Sequence, residues 1–124
     1  MDERKFDAVK AYFENKISQY KEQAAFLASD DRSDEAIFAR VQLNVYDIFH
    51  TIFSVAVKSC GSNGDNVRDY FLKKIKEIPE NWHSSLQCAE QYGDVKKAYI
   101  EKLKLDTASQ IKNEFAELWE ARYD

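Results

Sequence analysis

The chain has 124 residues, a formal charge of −4 at neutral pH, and 44% hydrophobic residues, but only three glycines and one proline. A chain of this length buries roughly 65% of its unfolded surface, so residues 1–124 are expected to form one domain around a single core. The scarcity of glycine and proline argues against an all-β chain, whose many turns need both residues, and leaves a helical domain.

The first predicted helix covers residues 2–28. Its apolar side chains recur in steps of three or four, which places them on one face of a helix. These side chains are Phe6, Val9, Phe13, Ile17, Tyr20, Ala24 and Leu27. Asp2 is expected to cap the first turn. Ser33, at the end of the polar stretch 29–33, is expected to cap the following helix, so this stretch predicts a tight connection between antiparallel helices.

The second predicted helix covers about residues 34–59 and has the widest apolar surface in the chain. An apolar seam with alternating steps of three and four runs along it through Phe38, Val41, Val45, Ile48, Ile52 and Val55. Further apolar residues lie beside this seam at Ile37, Tyr46, Phe49, Phe53 and Val57. Together they give an arc of roughly 200°, about twice the width a helix needs to lie on a core. The pattern therefore predicts a helix that is covered on more than one side.

Two shorter helices are predicted between residue 61 and residue 92. Gly61 is placed where a left-handed residue ends a helix, and Asp65 or Asn66 is expected to cap a third helix that continues to about residue 77. Proline disfavours helical geometry in the residue before it, so we expect a break at Ile78. Pro79 then begins a fourth helix that ends at about residue 92.

The last predicted helix covers about residues 95–121, with Gly93 stopping the preceding helix and Asp94 capping this one. Residues 92–98 resemble the turn between the helices of a tetratricopeptide repeat, and residues 33–37 resemble a looser copy. The copies lie about 60 residues apart, whereas that family repeats about every 34, so both are interpreted as helical-hairpin turns. The predicted fold is all-α: an antiparallel bundle of three long helices plus a proline-broken pair of short helices.

No catalytic or metal-binding motif is found in the sequence. Cys60 and Cys88 form no CxxC pair and are expected to be reduced thiols. Asp47 and His50 have a spacing that places them together on a helix, but no second histidine or glutamate pair completes a metal site, and an ion pair is the simpler interpretation. No nucleophile motif is present either. We therefore predict neither catalysis nor a metal or cofactor.

Nucleic-acid and membrane binding are not predicted. The basic clusters are Lys73, Lys74 and Lys76, and Lys96, Lys97, Lys102 and Lys104. The chain as a whole is acidic and has no arginine-rich stripe, so these lysines are interpreted as solvated helix faces. No apolar run resembles a signal peptide or approaches the roughly 18 residues of a membrane span. A cytoplasmic location is expected.

The extra apolar face of the second helix is the basis for the predicted function. Its candidate interface residues are Tyr46, Phe49, Phe53 and Val57. Either the short helices of the same chain cover this face, or it contacts a second molecule. On the second interpretation the chain is a small interaction module without catalytic activity, either a homodimer or bound to a protein partner. The alternative is a ligand- or metal-binding bundle with a pocket near Tyr46, His50 and Trp82.

Overall fold

The computed structural model describes residues 3–61 and 63–123, which form five α-helical segments. In chain order these are α1 (Glu3–Ser29), α2 (Ser33–Cys60), α3 (Gly64–Glu77), α4 (Pro79–Gln91) and α5 (Val95–Glu120). No β-strand occurs in the described part of the chain. The predicted all-α helical-bundle fold is confirmed.

Ring contacts fix the direction of α1 relative to α2. The rings of Tyr20 and Tyr46 stack with centroids 5.4 Å apart, and those of Phe13 and Phe53 lie 6.4 Å apart. A later residue of α2 therefore lies beside an earlier residue of α1, which shows that these two helices are antiparallel. The predicted helical hairpin at residues 29–33 is therefore present.

The last helix returns in the same direction as α2. Tyr99 of α5 lies 4.6 Å from the ring of Phe38, and Phe115 lies 6.2 Å from that of Phe53. Helices α3 and α4 are separated only by Ile78 and together run antiparallel to α2, since Trp82 lies near Phe49 and Phe71 near Phe53. With α3 and α4 counted as one element, successive elements alternate in direction. Helix α2 contacts α1, α3 and α5, which confirms that it is covered on more than one side.

Only part of the regular apolar seam of α2 points into the core: Val45 is 1% exposed and belongs to the large core. Ile48 and Val55 of that seam are 37% and 39% exposed. Tyr46, Phe49 and Phe53, which lie beside the seam in sequence, are at most 3% exposed. The core lies between α1, α3 and α5, and the positions of these three helices decide which part of the wide apolar arc is covered.

The chain stays helical through Ile78 and Pro79. Ile78 has helical dihedral angles of φ −59° and ψ −43°, and its N–H donates to the carbonyl oxygen of Lys74 at 2.9 Å. The predicted loss of helical geometry at Ile78 is therefore wrong. Pro79 lacks the N–H that would continue the helix, but Pro79 and Ile75 are buried, and packing offsets the local bias of the residue before proline.

Two of the predicted helix caps are wrong. Ser33 is the first residue of α2, Arg32 precedes it, and no side chain caps this end. At α3 the cap is Asn63 rather than Asp65 or Asn66: the Asn63 side-chain oxygen accepts from the backbone N–H of Asn66 at 3.1 Å. The polar runs offer several candidate caps, but the path of the turn places only Asn63 in capping position at α3 and none at α2. Asp2 lies outside the described residues.

The predicted turn between α4 and α5 is confirmed. Gly93 has a φ of +72°, a conformation that favours glycine, and the Asp94 side chain accepts from the backbone N–H of Lys97 at 3.1 Å. Gly61 also has a positive φ, of +61°, and its N–H donates to the carbonyl oxygen of Val57 at 3.0 Å. At the ends of α2 and α4, the positive φ of the backbone therefore favours glycine over other residues.

The buried side chains form one large core and one small cluster. The large core is built around the aromatic rings of α1, α2, α3 and α5. The small cluster contains Ala24, Leu27, Ala36 and Ala39 and lies between α1 and α2, beside the turn that joins them. Cys60 is half-buried and Cys88 is exposed, and both are free thiols. Among the residues described, no helix combines the length and apolar character needed to cross a bilayer.

Candidate functional site

Three of the four predicted interface residues belong to the core of the chain itself. Tyr46, Phe49 and Phe53 are buried, and other helices of the same chain supply the rings around them. Rings of α1 lie against Tyr46, whereas rings of α1, α3 and α5 surround Phe53. The ring of Phe49 lies 6.2 Å from that of Phe71 and 6.4 Å from that of Trp82. These side chains are not available on the surface of the folded chain. The prediction that they form an interface is corrected to the other account, in which the chain covers its own aromatic face.

The fourth predicted interface residue, Val57, is half-buried and lines an open groove of about 900 Å³ between α1 and α2. Phe6 and Phe53 also line this groove, and the charges around it are mixed, with acidic and basic side chains on α1 and Lys58 on α2. Because charges of both signs surround it, the groove favours neither an anionic nor a cationic ligand.

The Tyr46 hydroxyl takes part in a hydrogen-bonded tyrosine cluster inside the bundle. It is hydrogen-bonded to the Tyr12 hydroxyl, while the nearby Tyr20 hydroxyl accepts from the Gln42 amide at 3.4 Å. Burial raises the pKa of Tyr12 far above its ordinary value, and the hydrogen bond to Tyr46 raises it further. Burial also raises the pKa of Tyr46. Both phenols therefore resist ionisation above the ordinary tyrosine pKa of about 10.

The open groove between α1 and α2 is lined by His50 but not by Tyr46 or Trp82. His50 lies on the α1 side of α2, with its ring 5.8 Å from that of Phe13, and lines the groove described above. Trp82 lies on α4, with Lys104 Nζ 5.8 Å from its ring. This groove therefore gives no support to the predicted pocket near Tyr46, His50 and Trp82. Within residues 3–61 and 63–123, no group of three histidine, cysteine or carboxylate side chains is placed to hold a metal ion.

A buried ion pair lies beside Trp82. Lys104 Nζ is 3.1 Å from Glu101 Oε1, and the Glu101 side chain is 8% exposed. The second carboxylate oxygen, Oε2, accepts no hydrogen bond from the described residues. Because a buried unpaired acceptor is unfavourable, Lys104 is the group that offsets the burial of this carboxylate.

The most exposed large apolar side chains lie at one end of the bundle. Phe26 is 62% exposed, Tyr92 77%, Val95 80% and Tyr99 53%. The α1–α2 turn and the α4–α5 turn meet at this end, where Lys96 Nζ lies 3.4 Å from Asp34 Oδ1. We call these four residues and the two turns the aromatic end. Val95 and Tyr99 are four residues apart on α5, and only the packing of the bundle shows that both are exposed.

The aromatic end is acidic. Residues 30–35 and 90–97 carry six acidic and three basic side chains. Two of the basic side chains pair with neighbouring acids, Arg32 with Glu35 and Lys96 with Asp34. The exposed apolar side chains of this end are therefore flanked by an excess of negative charge.

A second open groove, of about 330 Å³, lies between α3, α4 and α5. Its apolar surface comes from Ile75, Pro79, Leu105 and Ala108, and its polar groups are Lys76, His83, Ser109 and Lys112. We call it the basic groove. In the sequence Lys76 belongs to a cluster interpreted as a solvated helix face. Lys112 is 36 residues further along the chain, and only the fold brings the two lysines to one groove.

Comparisons of this chain with protein-family models, with curated proteins and with solved structures gave no match.

Proposed function

We propose that the chain is a small helical interaction module without catalytic activity, and that it binds a basic, apolar segment of a protein partner at the aromatic end. The observation that carries this proposal is the exposure of Phe26, Tyr92, Val95 and Tyr99 where two turns meet. Large exposed apolar side chains grouped on one part of a surface are typical of interaction sites, and tyrosine and phenylalanine are enriched in interfaces.

The charge of the aromatic end favours a partner over a second copy of the chain. A symmetric dimer through this end would bring two acidic surfaces together, which disfavours association. A basic partner would instead gain complementary charge around an apolar centre. The homodimer predicted from the sequence therefore has less support here than a heterologous partner.

The proposal is tested with a synthetic amphipathic helical peptide of leucine and lysine, titrated into the ¹⁵N-labelled protein. We expect amide shifts at Phe26 and at residues 92–99. The double variant Tyr92→Ser/Val95→Ser is expected to weaken binding by roughly tenfold, because truncating central apolar contacts typically costs more than 1 kcal/mol. Val55→Ser is the matched control, since Val55 is a partly exposed valine on α2, outside the aromatic end.

A second peptide, with serine in place of leucine and the same charge, separates apolar recognition from general attraction to an acidic protein. We expect it to bind more weakly by at least the same factor. Equal binding of both peptides, or shifts centred away from the aromatic end, would refute the proposal. Sedimentation velocity at rising protein concentration provides the test for self-association, and a shift to dimer that Val95→Ser abolishes would replace the partner with a second copy.

A further inference from the structure

The basic groove differs in charge from the rest of this acidic chain. Lys76 on α3, His83 on α4 and Lys112 on α5 line it, and no carboxylate does. Side chains from three different helices converge there, although the chain has 22 acidic and 18 basic residues. A local surplus of cationic and hydrogen-bond-donating groups in an acidic protein favours an anionic ligand.

The lysines of the basic groove are not occupied by ion pairs. Among the described residues Lys76 and Lys112 form no ion pair within 4.0 Å, whereas Lys73 and Lys74 of the same helix α3 both lie within that distance of Glu77. Glu80 follows Lys76 by four positions but does not line the groove and makes no ion pair with it. Lysine ammonium groups without a carboxylate partner are free to bind an external anion.

The apolar surface of the groove limits the kind of anion. Ile75 and Ala108 are buried residues of the large core, and Pro79 and Leu105 extend this surface beside them. The volume of about 330 Å³ is near the lower limit of typical small-molecule sites. A small ligand with both an anionic group and a short apolar body fits these features better than an inorganic ion or a macromolecule.

We propose that the basic groove binds a small amphipathic organic anion. Its phosphate or carboxylate group lies between Lys76 and Lys112, with the Ser109 hydroxyl and the His83 imidazole as further donors, and its apolar body lies on Ile75, Pro79 and Leu105. This site is separate from the aromatic end, so either proposal can fail without the other.

The test uses hexyl phosphate and hexanoate as probes, titrated into the ¹⁵N-labelled full chain at low salt. We expect amide shifts at residues 75–83 and 105–112. The dissociation constant is expected to be about 1 mM, as is usual for ligands with as few non-hydrogen atoms as these probes. Inorganic phosphate should bind about tenfold more weakly, the effect of leaving about two methylene groups unburied. The two probes show which headgroup the groove prefers, and binding of either one supports the site.

Three lysine variants locate the site. Lys76→Gln and Lys112→Gln are each expected to weaken hexyl phosphate binding about fivefold, the upper range for one exposed charge. Lys73→Gln is the matched control, because Lys73 is an exposed lysine of α3 that does not line the groove. All three positions are exposed, so the fold is expected to survive, and far-ultraviolet circular dichroism checks this.

Several results would overturn the proposal. One is that neither hexyl phosphate nor hexanoate, at about 10 mM, shifts the amide signals of the groove. Another is equal weakening by Lys73→Gln, which would indicate general attraction to surface lysines. Binding of neutral hexanol as tightly as hexyl phosphate would show that the charged groups play no part.

Discussion

Replacing Phe53 with alanine tests the central correction to the predicted interface. In the structure this ring lies within 6.5 Å, centroid to centroid, of five other aromatic rings. They belong to Phe6, Phe13, Phe71, Phe115 and Trp119. The ring therefore connects three helices, α1, α3 and α5, to α2. Its removal is expected to destabilise the folded chain itself rather than an association between chains.

The size of the effect follows from the volume that is emptied. Deleting the ring removes ~100 Å³ of side-chain volume. If the cavity stays open, a cost of ~24 cal/mol per Å³ amounts to about 2.4 kcal/mol. The lost burial of the apolar side chain adds about 2 kcal/mol. The sum, about 4 kcal/mol, is a large part of the 5–15 kcal/mol by which a typical domain is stable. For a chain of this length it lowers the melting temperature by about 15 °C.

Urea unfolding, followed by circular dichroism, measures this loss. Val55→Ala is the matched control on the same helix, and because Val55 is 39% exposed its loss is expected to be below 1 kcal/mol. The measurement is repeated at protein concentrations that differ about 100-fold, since a residue at a subunit interface gives a concentration-dependent loss and a core residue does not. A Phe53→Ala loss below 1 kcal/mol, or one that depends on concentration, would refute the assignment of Phe53 to the core. A soluble, folded Phe53→Asp monomer would refute it as well, because the structure predicts that a carboxylate at this buried position unfolds the chain.

Three further predictions concern the ion pair, a cap and the tyrosine cluster. Lys104→Met is expected to lower the free energy of unfolding by about 2 kcal/mol, because it leaves the buried Glu101 carboxylate without a cation. Glu101→Met is expected to be neutral or stabilising. Equal losses of stability for the two variants in urea unfolding would contradict this. Asp94→Ala removes the cap of α5 and should cost about 1 kcal/mol by the same assay, and an unchanged midpoint would show that this cap contributes nothing. The pKa values of Tyr12 and Tyr46 are raised in the folded chain, so their contribution to stability is fully present below the ordinary tyrosine pKa of about 10 and is lost as the pH rises above it. Absorbance at 295 nm is expected to show two of the seven tyrosines ionising only with the loss of helical circular dichroism, and their ionisation in the folded chain would contradict the cluster.

The electrostatics of the surface depend on the fold as much as on composition. Residues 30–35 and 90–97 are far apart in sequence, yet the ion pair between Lys96 and Asp34 shows that they meet at one end. Lys76 and Lys112 are likewise brought to one groove. A chain with a small net charge therefore has one acidic apolar end and one basic groove, and these are the two surfaces on which the proposals rest.

Local patterns in the sequence determined where the helices lie and the features of the turn between α4 and α5. The three-to-four spacing of apolar residues, the positive φ that Gly93 supplies and the cap at Asp94 act within a few residues of one another, so they are visible before any tertiary contact forms. The breadth of the apolar arc on α2 also showed that several neighbours must cover it, because a single neighbour covers only about half of that arc.

Only the tertiary structure decided which side of α2 is buried and which aromatic residues stay exposed. Ile48 and Val55 of the seam and Phe49 and Phe53 beside it are all apolar, so the residue types alone do not show which of them are buried. The choice depends on where α3 and α5 lie, and these helices carry Phe71 and Phe115 from far along the chain. Burial is a property of the assembled bundle, since a side chain becomes inaccessible only when several distant segments meet around it.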